Sequence, residues 1–185
     1  MIKASILNVD YRDPKPESLF QIYVGMGCFW GAERKFWSVD GVYSTAVGYA
    51  GGHSENPNYE EVCSGVTGHA EIVRVVYDQS ISNLEMILSV FWESHDPTQL
   101  DRQGNDIGTQ YRSIILTENT DELQIINQTK EKYQEILKAQ SKGTLKTEIG
   151  VLSKFFLAED YHQKYLHKNP NGYCGLKGLN IKYFK

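Results

Sequence analysis

The segment from residue 22 to residue 37 places a glycine-rich turn and a cysteine between a strand and a helix. The apolar run at 22–24 predicts the strand, and Gly25 and Gly27 permit a sharp turn after it. Four aromatic residues beyond the turn share one helical face: Phe29, Trp30, Phe36 and Trp37. Cys28 therefore lies at or just before the first helical turn, where free N–H groups and the helix dipole can lower a thiol pKa from about 8.5 to about 3.5–7.5. The alternative is a buried cysteine in a core helix.

Charge and hydropathy exclude several classes of protein. A net charge of -4, without a basic stripe, argues against nucleic acid as the main partner. No apolar run approaches the roughly 20 residues of a membrane span, and the N-terminus lacks the pattern of a secretory signal. We therefore expect a cytoplasmic protein that binds neither nucleic acid nor membrane.

The three cysteines, Cys28, Cys63 and Cys174, are odd in number and widely spaced. Such a set does not make a disulfide framework. In a reducing compartment these residues are expected to be redox-active, catalytic or simply buried.

Alternating strand and helix patterns predict an α+β fold. Strands are expected at about 21–25, 42–49, 72–77, 111–116 and 146–152, and helices at about 29–38, 84–92, 120–140 and 159–167. The sequence Ser82-Asn83-Leu84-Glu85 fits a capping box at the start of the second helix.

The element order indicates a two-layer αβ sandwich with a ferredoxin-like βαββαβ core, to which one helix and one strand are added. We expect a single catalytic domain over residues 1–185. Residues 1–20 are expected to form an irregular leader, and residues 168–185 a long, irregular and mobile tail that contains Cys174.

Polar features elsewhere could serve a reactive Cys28. Glu71 precedes two apolar residues, so burial would raise its pKa and make it a general acid; a solvated strand-end glutamate is the alternative. The polar stretch 102–113 predicts a binding loop or an ordinary surface connection. The hydroxyl groups of Tyr49 and Tyr59 could donate hydrogen bonds to a substrate oxygen, or both residues could serve only as packing residues.

Two other chemistries compete with this reading. A zinc site could use cysteine and histidine ligands, but neither a Cys-x-x-Cys pair nor a His-Glu-x-x-His motif is present, and we expect no metal. Its candidate ligands are Cys28, His53, Cys63 and His69. A Cys-His acyl-transfer enzyme would need His69, His95 or His162 as base, and the sequence does not choose among them. His162, in the last predicted helix, is expected to be a surface or packing residue.

Seven segments, in order, resemble the peptide methionine sulfoxide reductase A family. They span about residue 25 to residue 175, nearly the whole chain. The segments are Gly27-Cys28-Phe29-Trp30-Gly31, Gly48-Tyr49-Ala50-Gly51-Gly52, Gly68-His69-Ala70-Glu71, His95-Asp96-Pro97-Thr98, Arg102 to Ser113, Ala158-Glu159-Asp160-Tyr161-His162-Gln163, and Asn169-Pro170-Asn171-Gly172-Tyr173-Cys174.

The resemblance implies a role for each matching residue. Cys28 would attack the sulfur of methionine sulfoxide and become a sulfenic acid, while Phe29 and Trp30 would hold the S-methyl group in an apolar pocket. Glu71 would protonate the sulfoxide oxygen. Three further positions match site residues of the family: Tyr59 and Tyr111, which share the binding of that oxygen, and Asp106.

The resemblance also implies how the enzyme is recycled. Cys174 would form a disulfide with Cys28, and thioredoxin, or dithiothreitol in vitro, would reduce it without a further cofactor. Implied substrates are proteins, peptides and the free amino acid that carry the S epimer of the sulfoxide, which points to repair after oxidative stress. We expect a monomer. Because no cysteine occurs from Gly175 to Lys185, a three-cysteine relay through the tail is not expected, and Cys63 is expected to be a buried thiol.

Overall fold

A computed structural model describes residues 4–184, which form a mixed α/β fold around a six-stranded sheet. Its strands are β1 (Phe20–Met26), β2 (Val42–Ala50), β3 (Ala70–Tyr77), β6 (Ser113–Thr117), β7 (Glu148–Val151) and β8 (Phe155–Leu157). Two short strands, β4 (Arg102–Gln103) and β5 (Asp106–Ile107), pair in a separate hairpin. The order in the large sheet is β7-β6-β1-β3-β2-β8, with β7 parallel to β6 and the other neighbours antiparallel.

β1 lies inside the sheet, between β3 and β6. Residues 22–26 are all buried, because side chains that alternate between the two faces of this strand meet protein on both. Ile22, Val24 and Met26 belong to the main core, whereas Tyr23 belongs to a smaller cluster with Ile72. The end of β1 is therefore held on both sides at the point where the chain turns towards Cys28.

The helices are α1 (Ala4–Asn8), α2 (Phe29–Phe36), α3 (Tyr59–Cys63), α4 (Leu84–Ser94), α5 (Glu122–Ala139) and α6 (Tyr165–Lys168). Apolar side chains of α2, α4 and α5 pack in the main core, among them Phe36, Trp92 and Tyr133. Over residues 4–184, no helix combines the length and apolar character that a bilayer span requires.

The structure corrects two details near helix starts. The predicted irregular leader contains the helix α1, which the buried side chain of Ile6 attaches to the main core. Residues 1–3 of the leader lie outside the described residues. The N-cap of α4 is Asn83, whose side chain accepts a hydrogen bond from the Met86 N–H at 2.9 Å. Ser82 instead donates its hydroxyl to the carbonyl of Asp40.

The helix predicted over 159–167 is wrong for most of its length, since α6 covers only its last residues, and β8 before it was missed. The amide of Gln163 accepts a hydrogen bond from Val47 N–H at 2.9 Å and donates one to Val47 O at 2.8 Å. These bonds hold the segment on β2 and compete with helical hydrogen bonding. Lys164 then adopts a left-handed backbone conformation, with φ 52°.

The C-terminal tail has no helix or strand between residues 169 and 184. Its far end is nevertheless packed, because Ile181 and Tyr183 are buried in the main core. The Tyr183 backbone N–H donates to Glu93 at 2.8 Å, and its hydroxyl donates to Glu85 at 2.9 Å. The tail is thus attached to α4 a few residues beyond Cys174.

Asn83→Ala should lower the free energy of unfolding by about 0.5–2 kcal/mol, because the first turn of α4 loses the acceptor for the Met86 N–H. Urea unfolding followed by circular dichroism measures this loss. Gln79→Ala, an exposed change just before the helix, is the control and should unfold like the wild type. A wild-type midpoint for Asn83→Ala would show that Asn83 does not cap α4.

Candidate active site

Cys28 occupies the N-cap position of α2, and Gly27 separates it from the end of β1. The turn between the two elements requires Gly27, which has a positive φ of 92°. A Cβ atom at Gly27 would lie 2.6 Å from the Cβ of Gln103, so only glycine permits this close approach. The predicted strand–turn–helix arrangement around the cysteine is confirmed.

The half-buried thiol of Cys28 has a raised pKa, chiefly because burial disfavours the thiolate. Ionised Glu71 and Asp106 act in the same direction, whereas the N–H groups of Trp30 and Gly31 lower the pKa. The expectation that the helix terminus lowers the pKa of this thiol is not met, because burial outweighs the helix N–H groups. Those two N–H groups remain available to a thiolate once it forms.

Glu71, on β3, is 2% exposed and faces the start of α2. Its Oε2 accepts a hydrogen bond from the Phe29 N–H at 2.8 Å. Burial raises the pKa of Glu71 to about 8; the Phe29 N–H opposes this rise and Asp106 adds to it. A buried carboxyl that is largely protonated at neutral pH thus accepts a hydrogen bond from the residue that follows Cys28. The predicted role of Glu71 as a general acid requires a protonated group beside the thiol.

An aromatic wall follows the cysteine. Phe29 is 1% exposed and lies in the main core, while Trp30 is only partly buried. The indole of Trp30 stacks on Tyr165, with ring centroids 3.9 Å apart, and its Nε1–H donates to His162 Nδ1 at 3.0 Å. The imidazole of His162 also lies 5.0 Å from the Phe29 ring, centroid to centroid. Of the two predicted pocket residues, Trp30 is the more accessible.

Tyr59 begins α3, a short helix that was not predicted in the loop at 53–68. Asn58 and Glu61 form a capping box at its start. The Tyr59 hydroxyl and the Cys63 thiol interact with each other, and burial raises the pKa of both groups. Cys63 is half-buried, so the expected buried thiol is only partly removed from solvent.

Tyr111 and Asp106 come from the polar loop at 102–113, which folds into the β4–β5 hairpin and a short 3-10 helix. Burial raises the pKa of Tyr111, and negative charge on Glu71, Cys63, Asp106 or Cys28 raises it further. Asp106 accepts a hydrogen bond from the hydroxyl of Tyr173 at 3.1 Å. The loop thus brings both predicted residues to the thiol.

Cys174 reaches the same region from the C-terminal tail. Its Sγ lies 2.9 Å from the position that a Cβ atom would take on Gly31, in the first turn of α2. Any larger residue at 31 would displace this sulfur. Both Cys28 and Cys174 are free and half-buried.

Several other candidates have structural partners. His95 is fully buried, its ring bonded to Phe91 O and Ser113 Oγ, and burial lowers its pKa to about 4. His69 bonds to the backbone at Gly52 and Ser54. The hydroxyl of Tyr49 is committed to Glu159 at 2.8 Å. Within the described part of the chain, no three His, Cys, Asp or Glu side chains group in a way that could hold a metal ion.

The part of the site built by residues 159–165 was not predicted from the sequence. His162, expected on the surface or in simple packing, is fully buried beside Phe29, Trp30 and Tyr59. Glu159 accepts a hydrogen bond from the Tyr59 N–H at 2.9 Å. The sequence did carry one signal for this part of the site, because the segment at 158–163 resembles the family. Its residue pattern, however, predicts a helix and not a site.

Comparison with known proteins gives one consistent result. The family model described as peptide methionine sulfoxide reductase matches residues 20–182. A relative from Photobacterium profundum, "Peptide methionine sulfoxide reductase MsrA", is 55% identical over 181 residues, which are 97% of this chain and 84% of the relative. Methionine sulfoxide reductase A of Corynebacterium diphtheriae has a similar structure, with a TM-score of 0.82 and 46% identity over 86% of this chain and 79% of that one. Reduced Mxr1 of Saccharomyces cerevisiae has a TM-score of 0.79 and 32% identity, covering 88% of this chain and 92% of its own.

Glu71→Gln should speed the reaction of Cys28 with iodoacetamide by about threefold to tenfold above about pH 9, where wild-type Glu71 is ionised and disfavours the thiolate. Below about pH 7 the two proteins should differ little, because Glu71 is then protonated. Peptide mass spectrometry over a pH series measures the rate at Cys28. Glu135→Gln, which removes an exposed carboxylate on α5, is the control. Equal rates at high pH would show that Glu71 does not act on the thiol.

Proposed function

The chain belongs to the peptide methionine sulfoxide reductase family, and from this membership we propose that it reduces the S epimer of methionine sulfoxide to methionine, in proteins, in peptides and as the free amino acid. One observation carries the proposal: a cysteine at a helix N-terminus lies beside a buried carboxyl with a pKa of about 8. A nucleophile for sulfur and an acid for oxygen are the two groups that the reaction needs.

In the first step, Cys28 attacks the sulfoxide sulfur and Glu71 donates a proton to the sulfoxide oxygen. Protonated by Glu71 and once more by solvent, the oxygen leaves as water when the substrate's S–O bond breaks, and the Cys28 sulfur is left bonded to the methionine sulfur. Water then attacks the Cys28 sulfur, the bond between the two sulfurs breaks, methionine and one proton leave, and Cys28 becomes a sulfenic acid. The hydrogen that the thiol gives up replaces the proton lost by Glu71. The substrate is thus reduced by two electrons while Cys28 is oxidised by two.

The remaining residues position the substrate. The hydroxyl groups of Tyr59 and Tyr111 donate to the sulfoxide oxygen, and Asp106 lies at the same pocket. Trp30, half-exposed and stacked on Tyr165, offers its indole to the S-methyl group, while Phe29 supports that wall from the core.

Recycling uses the second cysteine. The thiol of Cys174 attacks the sulfenic acid of Cys28, water leaves, and a Cys28–Cys174 disulfide forms. The position of the Cys174 sulfur over Gly31 supports this pairing. A dithiol protein of the thioredoxin class then reduces the disulfide by exchange, and no metal or other cofactor takes part.

The proposal extends to the whole chain. Residues 1–185 act as one catalytic domain, and the strands in the order β6-β1-β3-β2, with α2 and α4, form a ferredoxin-like core. A mobile section of the tail carries the resolving cysteine. The protein works as a cytoplasmic monomer that repairs methionine after oxidative stress.

Cysteine variants test the proposal directly. With a methionine sulfoxide peptide and thioredoxin, Cys28→Ser should form no methionine, because the nucleophile is absent. Cys174→Ser should form one methionine per enzyme and then stop as a trapped sulfenic acid. Cys63→Ser is the matched control and should retain most of its turnover. Rapid-quench product counting and peptide mapping measure these outcomes.

Two results of that series contradict the assignment. A mapped disulfide between Cys28 and Cys63 would give the resolving role to Cys63. Full thioredoxin-driven turnover of Cys174→Ser would remove that role from Cys174. Methionine formation by Cys28→Ser would overturn the proposed function itself.

Glu71→Gln should slow methionine formation by about 10²–10⁴-fold at neutral pH, the usual span for general acid catalysis. Because the pKa of Cys28 lies above that of Glu71, the form with a thiolate and a neutral carboxyl increases up to about pH 8 and is then constant. The second-order rate constant of the wild type should therefore level off above about pH 8, whereas that of Glu71→Gln should continue to rise with the thiolate. Single-turnover measurements at low substrate give both profiles. A near-wild-type rate for the variant at neutral pH would exclude Glu71 as the acid.

A further inference from the structure

His162 is buried with only one of its ring nitrogens hydrogen-bonded. Its Nδ1 accepts the indole N–H of Trp30, whereas Nε2 has no hydrogen-bond partner among the described residues. A neutral imidazole carries one hydrogen, and an acceptor nitrogen cannot carry it. Burial lowers the pKa of His162, so the ring is neutral at pH 7 with its hydrogen on Nε2.

The group that faces this hydrogen is the carboxylate of Glu159. Its Oε2 lies 3.7 Å from His162 Nε2 and accepts the hydroxyl of Tyr49 at 2.8 Å. Its Oε1 accepts the backbone N–H of Tyr59 at 2.9 Å. Although burial opposes ionisation, hydrogen bonds from the backbone and from Tyr49 lower the pKa of Glu159, so it is a carboxylate at neutral pH.

We propose that Glu159 is a positioning residue for the reduction of methionine sulfoxide: through His162 it orients the indole of Trp30, and through the Tyr59 N–H it orients α3. The inference rests on the proposed reaction at Cys28. It assigns Glu159 no contact with the substrate. Its carboxylate joins two walls of the pocket that come from distant parts of the chain, and it fixes which nitrogen of His162 carries the hydrogen.

The substitution Glu159→Gln leaves one acceptor oxygen in place of the two carboxylate oxygens. The amide has one oxygen, while Tyr59 and His162 both present an N–H group to the wild-type carboxylate. The backbone N–H of Tyr59 cannot reorient, but the hydroxyl of Tyr49 can rotate and accept. The amide oxygen should therefore stay on Tyr59 and its NH₂ group should face His162 Nε2. Two donors then oppose each other, and the tautomer with the hydrogen on Nδ1 gains population at the expense of the bond from Trp30.

The test combines a spectroscopic and a kinetic readout. In ¹⁵N-histidine-labelled wild-type protein, long-range NMR spectra should show His162 with its hydrogen on Nε2, and Glu159→Gln should shift it towards Nδ1. In single turnovers without reductant, the substrate concentration for half-maximal rate should rise by about tenfold in Glu159→Gln, since one or two hydrogen bonds to the pocket walls are lost. Alkylation of Cys28 by iodoacetamide should change by less than about twofold.

Glu60→Gln is the control, because it removes an exposed carboxylate from the same short helix. Its His162 tautomer and its substrate dependence should equal those of the wild type. A wild-type substrate dependence for Glu159→Gln would overturn the proposal. A wild-type His162 with its hydrogen on Nδ1 would also overturn it, and this measurement needs no variant should Glu159→Gln fail to fold. Absence of methionine formation in the wild type would instead refute the proposed function and leave the tautomer assignment to stand by itself.

Discussion

The hydrogen bond from Phe29 N–H to Glu71, 2.8 Å long, connects the first turn of α2 to β3 inside the protein. It satisfies one of the N–H groups that a helix start leaves unpaired, and it gives a buried carboxyl its only described hydrogen-bond donor. A single donor in a site of low polarity does not support full ionisation, so the carboxyl keeps its proton near neutral pH. One hydrogen bond therefore connects the backbone turn that positions Cys28 with the carboxyl that would act as its acid.

A second buried glutamate has more hydrogen-bond donors than Glu71 and serves a structural role. Glu33, on α2, is fully buried and lies 2.7 Å from the ammonium of Lys164. Thr45 Oγ1 and the Lys164 N–H donate to the same carboxylate, at 2.9 and 3.0 Å. This carboxyl group is paired with Lys164 and Thr45, and it holds the segment before α6 against α2. The difference between these two carboxyl groups follows from their partners, because both are removed from solvent.

Local sequence patterns were sufficient for the elements that carry the nucleophile and the acid. β1, α2, β3 and α4 lie close to their predicted ranges, because each has an apolar run or stripe of the right period. Cys28 and Glu71 lie close together because β1 and β3 pair antiparallel, which places the end of β1 beside the start of β3. Both strands can be predicted from the sequence. Tertiary contacts decided what was missed. Residues 159–164 have a helical pattern, but Gln163 bonds to the edge of β2 and Lys164 turns into a left-handed conformation, and together they carry His162 to the site. The raised pKa of Cys28 likewise depends on burial by distant segments, which no local pattern encodes.

The attachment of the tail at both ends has a consequence for competition between thiols. The chain is held at α6 and again at Ile181 and Tyr183, so Cys174 belongs to a short tethered loop. A thiol on such a tether has an effective concentration on the order of millimolar or more at a neighbouring group, independent of the amount of protein present. A sulfenic acid at Cys28 would thus meet Cys174 as an intramolecular reactant, while a dissolved thiol must first diffuse into a half-buried site. The same closed loop restricts the directions in which the sulfur can travel, which favours one partner over any other thiol in the solution.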